Sequence, residues 1–371
     1  MRAVKRLEQA ACRFTLGLAV LISATGVAGV VAHSAGSSRL PNPPSGVPIS
    51  VSAFLASYVD GSGRVVRWDQ GGDTVSEGQA YALLLAVAAG DRDRFAAVWA
   101  WTKEHLQRPD GLLAWHWAGG RVVDWMPAAD ADLDTAWALG LAGTRFGDPS
   151  LEAAARRMAN SILREETVTT ALGPVLVAGP WARTNPAMVE PGYFAPEAFA
   201  ELERSTGDIR WASVSATAMV VLGRLTGSGL PPDWASVTTA GAVVPTHAPG
   251  SFSTPSFGLD AERAVVWAAP CDGMGSAIAA RAWARLAPSA TRELFPLELS
   301  LDGSAETPDV SAVIAVADAA AAQASGRASQ ASELLDAAAR ISARYPTYYG
   351  SAWVALANSL LGAKGLSDCS R

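Results

Sequence analysis

The sequence predicts an all-α fold, and a toroid of paired helices matches its pattern best. Apolar residues recur at helical spacing in segment after segment from Ser76 onward. Alanine is abundant on these segments, which allows close contact between helices at little cost in side-chain entropy. Strand-like segments are scarce and are limited to 64–67 and 175–178. Ten to twelve helices joined by loops of unequal length are typical of an all-α domain.

The first of these helices has clear boundaries in the sequence. Ser76 and Gln79 have the spacing of a capping box, which places Ser76 at the N-cap. Tyr81 and Leu84 continue the helical spacing, and Gly90 supplies a stop. The same criteria predict further helices at 92–107, 130–147, 150–165, 196–205, 207–225, 260–285, 307–324, 330–344 and 347–363.

The N-terminus is typical of an export signal. Basic residues precede an uncharged stretch from Phe14 to Ala32, and small residues follow it. About nineteen uncharged residues nearly suffice to cross a bilayer, so an uncleaved single-pass anchor is the alternative. We therefore expect an exported or cell-envelope protein. Its signal or anchor is expected at 1–36, a Pro/Gly/Ser-rich linker at 37–50, one catalytic domain at 51–365 and a tail at 366–371.

Composition excludes several classes of protein. Half of the 371 residues are apolar and 17% are charged, as in a globular protein. The formal net charge of −6 argues against a nucleic-acid partner. Four scattered histidines have no metal-ligand spacing, so neither a metal nor a cofactor is expected. The chain has three cysteines. Cys12 lies in the N-terminal segment, and Cys271 and Cys369 either form one disulfide or are two unrelated thiols.

Three long connections, at 107–130, 166–194 and 229–259, are expected to carry function. They hold tryptophans among Gly, Asp and Pro, where an indole face can stack on a pyranose ring. These loop tryptophans are Trp115, Trp117, Trp125 and Trp181. By contrast Trp99, Trp137 and Trp353 sit at helical spacing among small apolar residues and are predicted to be core. The loops therefore predict a groove for a sugar chain.

Several acids lie at predicted helix starts, namely Glu77, Asp130, Asp132 and Asp260. Taken singly, each is explained by the helix dipole or by N-capping. Asp134, the next acid in the row, is expected at the surface.

The segments around these acids resemble glycoside hydrolase family 8, and most closely the cellulases that accompany bacterial cellulose synthases. Six segments match in the family's order and together cover about 51–361. They are the run 63–66 leading to Val75–Ala86, the loop Asp110–Trp115, the acidic motif Ala129–Leu139, Pro191–Pro196, Ser256–Arg263 and Thr347–Tyr349.

The resemblance implies an (α/α)6 barrel whose long loops form a substrate groove, and an inverting mechanism. Glu77 would be the general acid and Asp260 the general base. Asp130 or Asp132 would hold the sugar at the cleavage point. By the same resemblance Arg263 would orient or charge-balance the carboxyl groups, and Trp115, Tyr193 and Tyr348 would line the substrate site. The loop residue Trp181 and Arg263 are also expected among the substrate-binding residues.

This chemistry sets a geometric requirement on the fold. An oxocarbenium-like transition state needs one protonated and one ionised carboxyl group, about 6.5–9.5 Å apart in an inverting enzyme. Glu77 and Asp260 must therefore open onto the same end of the barrel. A protonated Glu77 also needs burial or a nearby anion to raise its pKa against the helix dipole.

The expected function is endo-hydrolysis of cellulose or a related β-1,4-linked polysaccharide. The resemblance also admits chitosan, mixed-linkage glucan and xylan, and implies association with the cell envelope or the cellulose synthesis machinery. Ala129 replaces the family's Ser or Thr before the first Asp of the acidic motif. That change, with the possible anchor, motivates a non-catalytic glycan-binding protein as the alternative. Another α-toroid enzyme, such as a polysaccharide lyase, is the third hypothesis.

Overall fold

The computed structural model describes residues 50–270, 273–362 and 366. The predicted signal or anchor, nearly all of the linker, Cys271 with Cys369 and most of the tail lie outside these residues. Within them, no helix is long and apolar enough to cross a bilayer.

The described residues form twelve α-helices. These are α1 Val51–Tyr58, α2 Ser76–Ala89, α3 Arg92–His105, α4 Ala129–Phe146, α5 Pro149–Glu165, α6 Pro196–Thr206, α7 Arg210–Leu225, α8 Leu259–Ala268, α9 Met274–Ala290, α10 Ala312–Ala324, α11 Ala328–Arg344 and α12 Tyr348–Leu360.

Six of these helices form a closed inner ring. In order, α2, α4, α6, α8, α10 and α12 each contact the next, and α12 returns to contact α2. The helices α3, α5, α7, α9 and α11 pack outside this ring, and α1 packs against α12 and α2. The molecule is therefore an (α/α)6 barrel, as the family resemblance implied.

Residue composition explains which helices lie inside. In α2 and α10, nearly every residue is buried, and Ala312–Ala322 form one continuous buried stretch. Small side chains let these helices approach each other on all sides. The outer helix α5 is instead amphipathic, because only one face, including Met158 and Ile162, is buried. Trp99, Trp137 and Trp353 are buried in the core, as predicted.

Short antiparallel strands fill the long connections between helices. They are β1 Thr74–Val75, β2 His116–Ala118, β3 Arg121–Asp124, β4 Thr167–Thr170, β5 Gly173–Leu176, β6 Ala187–Val189, β7 Trp234–Val237, β8 Val243–Thr246, β9 Ser256–Phe257 and β10 Leu299–Ser300. Strand β2 pairs with β1 and β3, and β7 pairs with β6 and β8. The second of these sheets joins two connections that are distant in sequence, because β6 precedes α6 and both β7 and β8 follow α7.

Three local predictions were wrong. The N-cap of α2 is Val75 and not Ser76. Gln79 does not close a capping box, because its side chain accepts from the Val65 amide at 2.5 Å and donates to Thr102 Oγ1 at 2.8 Å. The single helix predicted at 260–285 is two helices, α8 and α9. Asp134 is buried, because α4 lies in the inner ring.

Candidate active site

A cleft opens where several inner helices begin. Helix α2 brings Glu77 to it, α4 brings Asp130, α8 brings Asp260, and α12 brings Tyr348 and Tyr349. Loops complete the lining, which includes Arg67, Asp69, Gln70, Trp115, Pro127, Ala178, Trp181, Glu190, Tyr193, Trp234, Ala248 and Thr347. The two predicted catalytic acids therefore lie in the same cleft, although 183 positions separate residues 77 and 260.

Arg263 lies at the centre of the acidic groups. Its Nη1 donates to Asp130 Oδ2 at 2.8 Å and lies 3.8 Å from Glu77 Oε1. Its Nη2 donates to Asp260 Oδ1 at 2.9 Å. Because both nitrogens belong to one planar guanidinium, these contacts keep the nearest oxygens of Glu77 and Asp260 within about 9 Å. That limit is compatible with the separation of about 6.5–9.5 Å in inverting glycosidases.

Glu77 has the environment of a carboxylic acid that stays protonated near neutral pH. Burial raises the pKa of Glu77 to about 7, and the negative charges of Asp130 and Asp260 act in the same direction. Arg263 opposes them, as does the Tyr81 hydroxyl, which donates to Glu77 Oε1 at 2.7 Å. Tyr81 lies one helical turn after Glu77, so the acid and its hydrogen-bond donor share one face of α2.

Asp260 is held at the start of α8 by contacts from outside its own helix. The carboxylate of Asp233 accepts hydrogen bonds from the backbone amides of Gly258, at 3.1 Å, and Ala261, at 2.8 Å. It therefore caps the helix start that carries the predicted base. Burial raises the pKa of Asp260, while the ion pair with Arg263 favours its charged form. Asp260 thus lies in a fixed place beside the cleft.

The structure distinguishes Asp130 from Asp132. Asp130 lines the cleft, and its carboxylate accepts hydrogen bonds from Arg263 and from the backbone amide of Ala131. Asp132 is fully buried outside the cleft lining, and its Oδ1 accepts from the Leu113 amide at 2.8 Å. Of the two, Asp130 is therefore the residue that can reach a sugar.

The predicted aromatic contacts lie in the cleft. Trp115, Trp181, Tyr193 and Tyr348 all line it, and Trp234 adds a third indole, whose ring centroid lies 6.1 Å from that of Trp181. Within the described part of the chain, Trp115 Nε1 and Tyr348 Oη are buried without a hydrogen-bond partner. Both are hydrogen-bond donors left unused on residues of the cleft wall.

Two of the loop tryptophans are placed elsewhere. Trp117 packs beneath the Arg64 guanidinium, 4.2 Å from its ring centroid, and Trp125 is 56% exposed. Neither belongs to the cleft lining.

The roles of three residues in the cleft or beside it were not identified from the sequence. Glu190 precedes a 3-10 turn at Pro191–Tyr193, and Asp233 precedes β7. The Tyr349 hydroxyl donates to the Leu259 carbonyl at 3.0 Å, which ties α12 to the start of α8. Glu190 lies directly before the matched segment Pro191–Pro196, so its place in the sequence could have identified it. Asp233 gave no signal, because its partners are more than twenty positions away.

The arrangement can support acid–base hydrolysis. One carboxyl group is tuned to hold a proton, a second is paired with a guanidinium, and aromatic faces surround both. Across the described residues, no group of three His, Cys, Asp or Glu side chains is arranged to hold a metal ion.

One family model and several known proteins match this chain. The family model described as glycosyl hydrolases family 8 matches residues 34–356. A protein described as a probable endoglucanase, from Novacetimonas hansenii, is 33% identical over 230 residues, covering 59% of this chain and 66% of its own. An endoglucanase from Cellulomonas uda is 28% identical over 200 residues, covering 52% and 56%. The matched region thus spans slightly less than two thirds of the length of the first relative and a little more than half of the second.

Solved structures extend the likeness over most of the chain. The endo-β-1,4-glucanase CMCax from Acetobacter xylinum has a TM-score of 0.69 at 28% identity, covering 84% of this chain and 97% of that one. The family 8 endoglucanase Cel10 from Klebsiella pneumoniae has a TM-score of 0.68 at 23% identity, covering 83% and 96%. The second likeness concerns the fold alone.

Proposed function

The chain belongs to glycosyl hydrolases family 8, and we propose that it is an inverting endo-β-1,4-glucanase with Glu77 as general acid and Asp260 as general base. One observation carries this proposal. The two carboxyl groups contact the two terminal nitrogens of a single arginine in one aromatic-lined cleft. The relatives described as endoglucanases support the choice of a β-glucan as substrate.

Glu77 supplies the proton to the departing glycosidic oxygen. With its pKa raised to about 7 by burial, it is protonated at mildly acidic to neutral pH. As the glycosidic bond breaks, the proton moves from Glu77 to that oxygen and Glu77 becomes a carboxylate. Arg263 Nη1, 3.8 Å away, is placed to stabilise the new negative charge.

Asp260 removes a proton from water on the opposite face of the sugar ring. The ion pair with Arg263 keeps it in the charged form that a base requires. The hydroxide equivalent forms the new bond to the anomeric carbon, and Asp260 ends the cycle protonated. Proton exchange with solvent then restores both carboxyl groups, because each side chain is about one-fifth exposed.

The cleft walls bind the polymer. Asp130 holds the sugar at the cleavage point, with its carboxylate oriented by Arg263. Trp115, Trp181, Tyr193 and Tyr348 offer ring faces and hydrogen-bond donors to neighbouring sugars. A cleft with several such contacts suits internal cleavage of a chain.

We also propose that the protein acts outside the cytoplasm, in the cell envelope or with the cellulose synthesis machinery. The support is the N-terminal sequence, with basic residues before the uncharged stretch from Phe14 to Ala32. Cell fractionation with an antibody against the barrel tests this. Recovery of the protein in the cytoplasmic fraction alone would contradict it.

Substrate assays test the catalytic proposal. Purified protein is incubated with carboxymethylcellulose, lichenan, chitosan and xylan, and reducing ends are measured. We expect release from carboxymethylcellulose, and a fall of about a thousandfold or more in Glu77→Gln, which cannot donate its proton. Glu104→Gln, at an exposed position on α3, is the matched control and should retain full activity.

Two results would contradict the proposal. No reducing ends from any of the four polymers would exclude the hydrolase, and binding without turnover would favour the glycan-binding alternative. Equal activity of the Glu77→Gln and Glu104→Gln variants would remove Glu77 from the mechanism.

A further inference from the structure

Glu190 is a buried carboxyl group in the cleft wall to which the mechanism above gives no part. It lies directly before the turn Pro191–Tyr193 and lines the cleft. Its Oε2 accepts a hydrogen bond from Arg263 Nη2 at 3.1 Å. That same nitrogen donates to Asp260 Oδ1 at 2.9 Å. Glu190 and the proposed base therefore meet at one nitrogen atom.

Two carboxyl groups in this position cannot both be ionised without a large penalty. They share one positive charge, which Asp130 also contacts at 2.8 Å and Glu77 at 3.8 Å. Like charges that share a partly desolvated site bind a proton between them. The Glu190–Asp260 pair therefore holds one proton at the pH where Asp260 acts as a base.

The surroundings assign that proton to Glu190. Its side chain is 6% exposed, whereas that of Asp260 is 21% exposed to the cleft. Asp260 also lies in the first turn of α8, where the helix dipole favours an anion, and makes the shorter contact with Arg263. A neutral Glu190 and an ionised Asp260 are the lower-energy distribution.

We propose that Glu190 is a positioning residue that stands in the cleft wall as a neutral carboxylic acid and keeps Arg263 directed at an ionised Asp260. This inference rests on the proposed function. The side-chain oxygen Oε2 of Glu190 accepts one N–H of Arg263 Nη2, so the other N–H of that nitrogen stays directed at Asp260. As a neutral group, Glu190 adds no second negative charge beside the base.

The groups that face Glu190 agree with this state. Burial raises the pKa of Glu190 well above its usual value, and the charges of Asp260 and Asp130 raise it further. Arg263 acts in the opposite direction, as does the hydrogen bond with Tyr193. The Arg263 guanidinium also lies over the Tyr193 ring, 5.0 Å from its centroid.

The backbone fixes Glu190 relative to Asp260. The turn at 191–193 packs directly against α8. A Cβ at Gly192 would overlap the carbonyl oxygen of Asp260 and lie 3.2 Å from Arg263 Nε. The absence of a side chain at position 192 therefore lets the segment that carries Glu190 approach the helix that carries the base.

Three variants test the role through kinetics across pH. Glu190→Gln keeps a neutral acceptor for Arg263, Glu190→Ala removes it, and Glu201→Gln is the matched control. Glu201 is a buried glutamate that accepts two hydrogen bonds from Arg204 and lies outside the cleft lining. We expect Glu190→Gln to retain kcat within about threefold, and Glu190→Ala to lose about 10- to 100-fold in kcat with little change in KM. Both limbs of the pH profile should stay in place in Glu190→Gln.

Thermal unfolding gives a second readout that does not need activity. An acid whose pKa is raised in the folded state contributes stability below its unfolded pKa, and this is lost as pH rises towards the folded pKa. Because glutamine does not titrate, Glu190→Gln does not lose this stability as pH rises. The difference in Tm between Glu190→Gln and wild type should therefore become more positive from pH 4 to pH 8.

The opposite results overturn the inference. If Glu190 were an ionised partner of Arg263, Glu190→Gln would lower kcat as Glu190→Ala does and shift both limbs to lower pH. Its Tm difference would then become more negative towards pH 8. Full activity in Glu190→Ala would also exclude a positioning role. Should the wild type cleave none of the polymers, the proposed function fails, and the Tm difference still decides the protonation state of Glu190.

Discussion

Removal of the Tyr81 hydroxyl should extend activity to higher pH. This hydroxyl donates to Glu77 Oε1 at 2.7 Å and stabilises the ionised form of that carboxyl group. Tyr81→Phe deletes the hydrogen bond and leaves the buried ring in place beside Trp353, where it packs edge-on at 5.5 Å. Because the charged form loses a donor, the pKa of Glu77 should rise.

The size of the effect follows from the hydrogen bond. A hydrogen bond to a charged group contributes about 1.5–3 kcal/mol, and about 1.4 kcal/mol corresponds to one pH unit. The protonated acid also keeps part of this bond, so we expect the lower end, an upward move of about one pH unit. From a wild-type value of about 7, the protonated fraction of Glu77 at pH 8 would then rise about fivefold.

Initial rates on carboxymethylcellulose from pH 4 to pH 10 measure this directly. The alkaline midpoint of kcat/KM, which reports the free enzyme, should lie near pH 7 in the wild type and near pH 8 in Tyr81→Phe. Tyr58→Phe is the control, because the buried Tyr58 hydroxyl contacts Ser351 at 3.1 Å and not the acid. An alkaline midpoint that stays in place or moves down in Tyr81→Phe would refute the assignment of Glu77 as the acid.

Three further changes have defined outcomes. Gly192→Ala should lower kcat by about 10- to 100-fold, because the added Cβ displaces the backbone carbonyl of Asp260. Circular dichroism should show that the fold is intact, and an unchanged kcat would contradict this prediction. Trp181→Ala should raise KM on long oligosaccharides about three- to tenfold with kcat retained, since an indole face that lines the cleft is lost; an unchanged KM would remove it from the binding surface. Asp318 is fully buried without a hydrogen-bond partner in the described part of the chain, and burial raises its pKa well above the usual value. Asp318→Asn should therefore raise Tm at pH 8 by about 2 °C or more and change it little at pH 4; a lower Tm at pH 8 would show a hidden partner.

The helical pattern was predictable because each inner helix carries strong local signals. Gly90 ends α2 and Gly147 ends α4 in the left-handed conformation that glycine adopts readily. A toroid of paired helices fitted their number best, and the arrangement in six pairs came from the family resemblance. The break between α8 and α9 was missed although Pro270 and Gly273, residue types that interrupt helices, lie between Ala268 and Met274 in the sequence.

Polar residues were less predictable, because their role depends on partners that are distant in sequence. Gln79 fits a capping box by spacing, but its amide serves the Val65 backbone and Thr102 instead. Asp134 follows two acids and looks like a surface residue, yet the closed ring buries it. Helix α4 is buried on nearly every side between residues 129 and 143, so it leaves no exposed face for Asp134.

The carboxyl groups of the cleft show the same division. Glu77 and Asp260 lie in segments that resemble those of a known family, so the sequence was enough to name them as the candidate acid and base. Their separation did not, because it depends on Arg263 and on the closure of the ring. Glu190 reaches the cleft from a loop, and Asp233 contacts the start of α8 from outside the cleft lining. The importance of both rests on contacts with α8 that only the folded chain displays.

The stereochemistry of the product tests the central claim most directly. Proton NMR of a cello-oligosaccharide digest, recorded in the first minutes before mutarotation, reports the configuration at the new reducing end. Attack by a water that Asp260 activates, on the face opposite Glu77, predicts the α-anomer as the first product. Initial release of the β-anomer would mean that Asp260 acts as a nucleophile or takes no part in the reaction, and would contradict the acid–base pair proposed for this cleft.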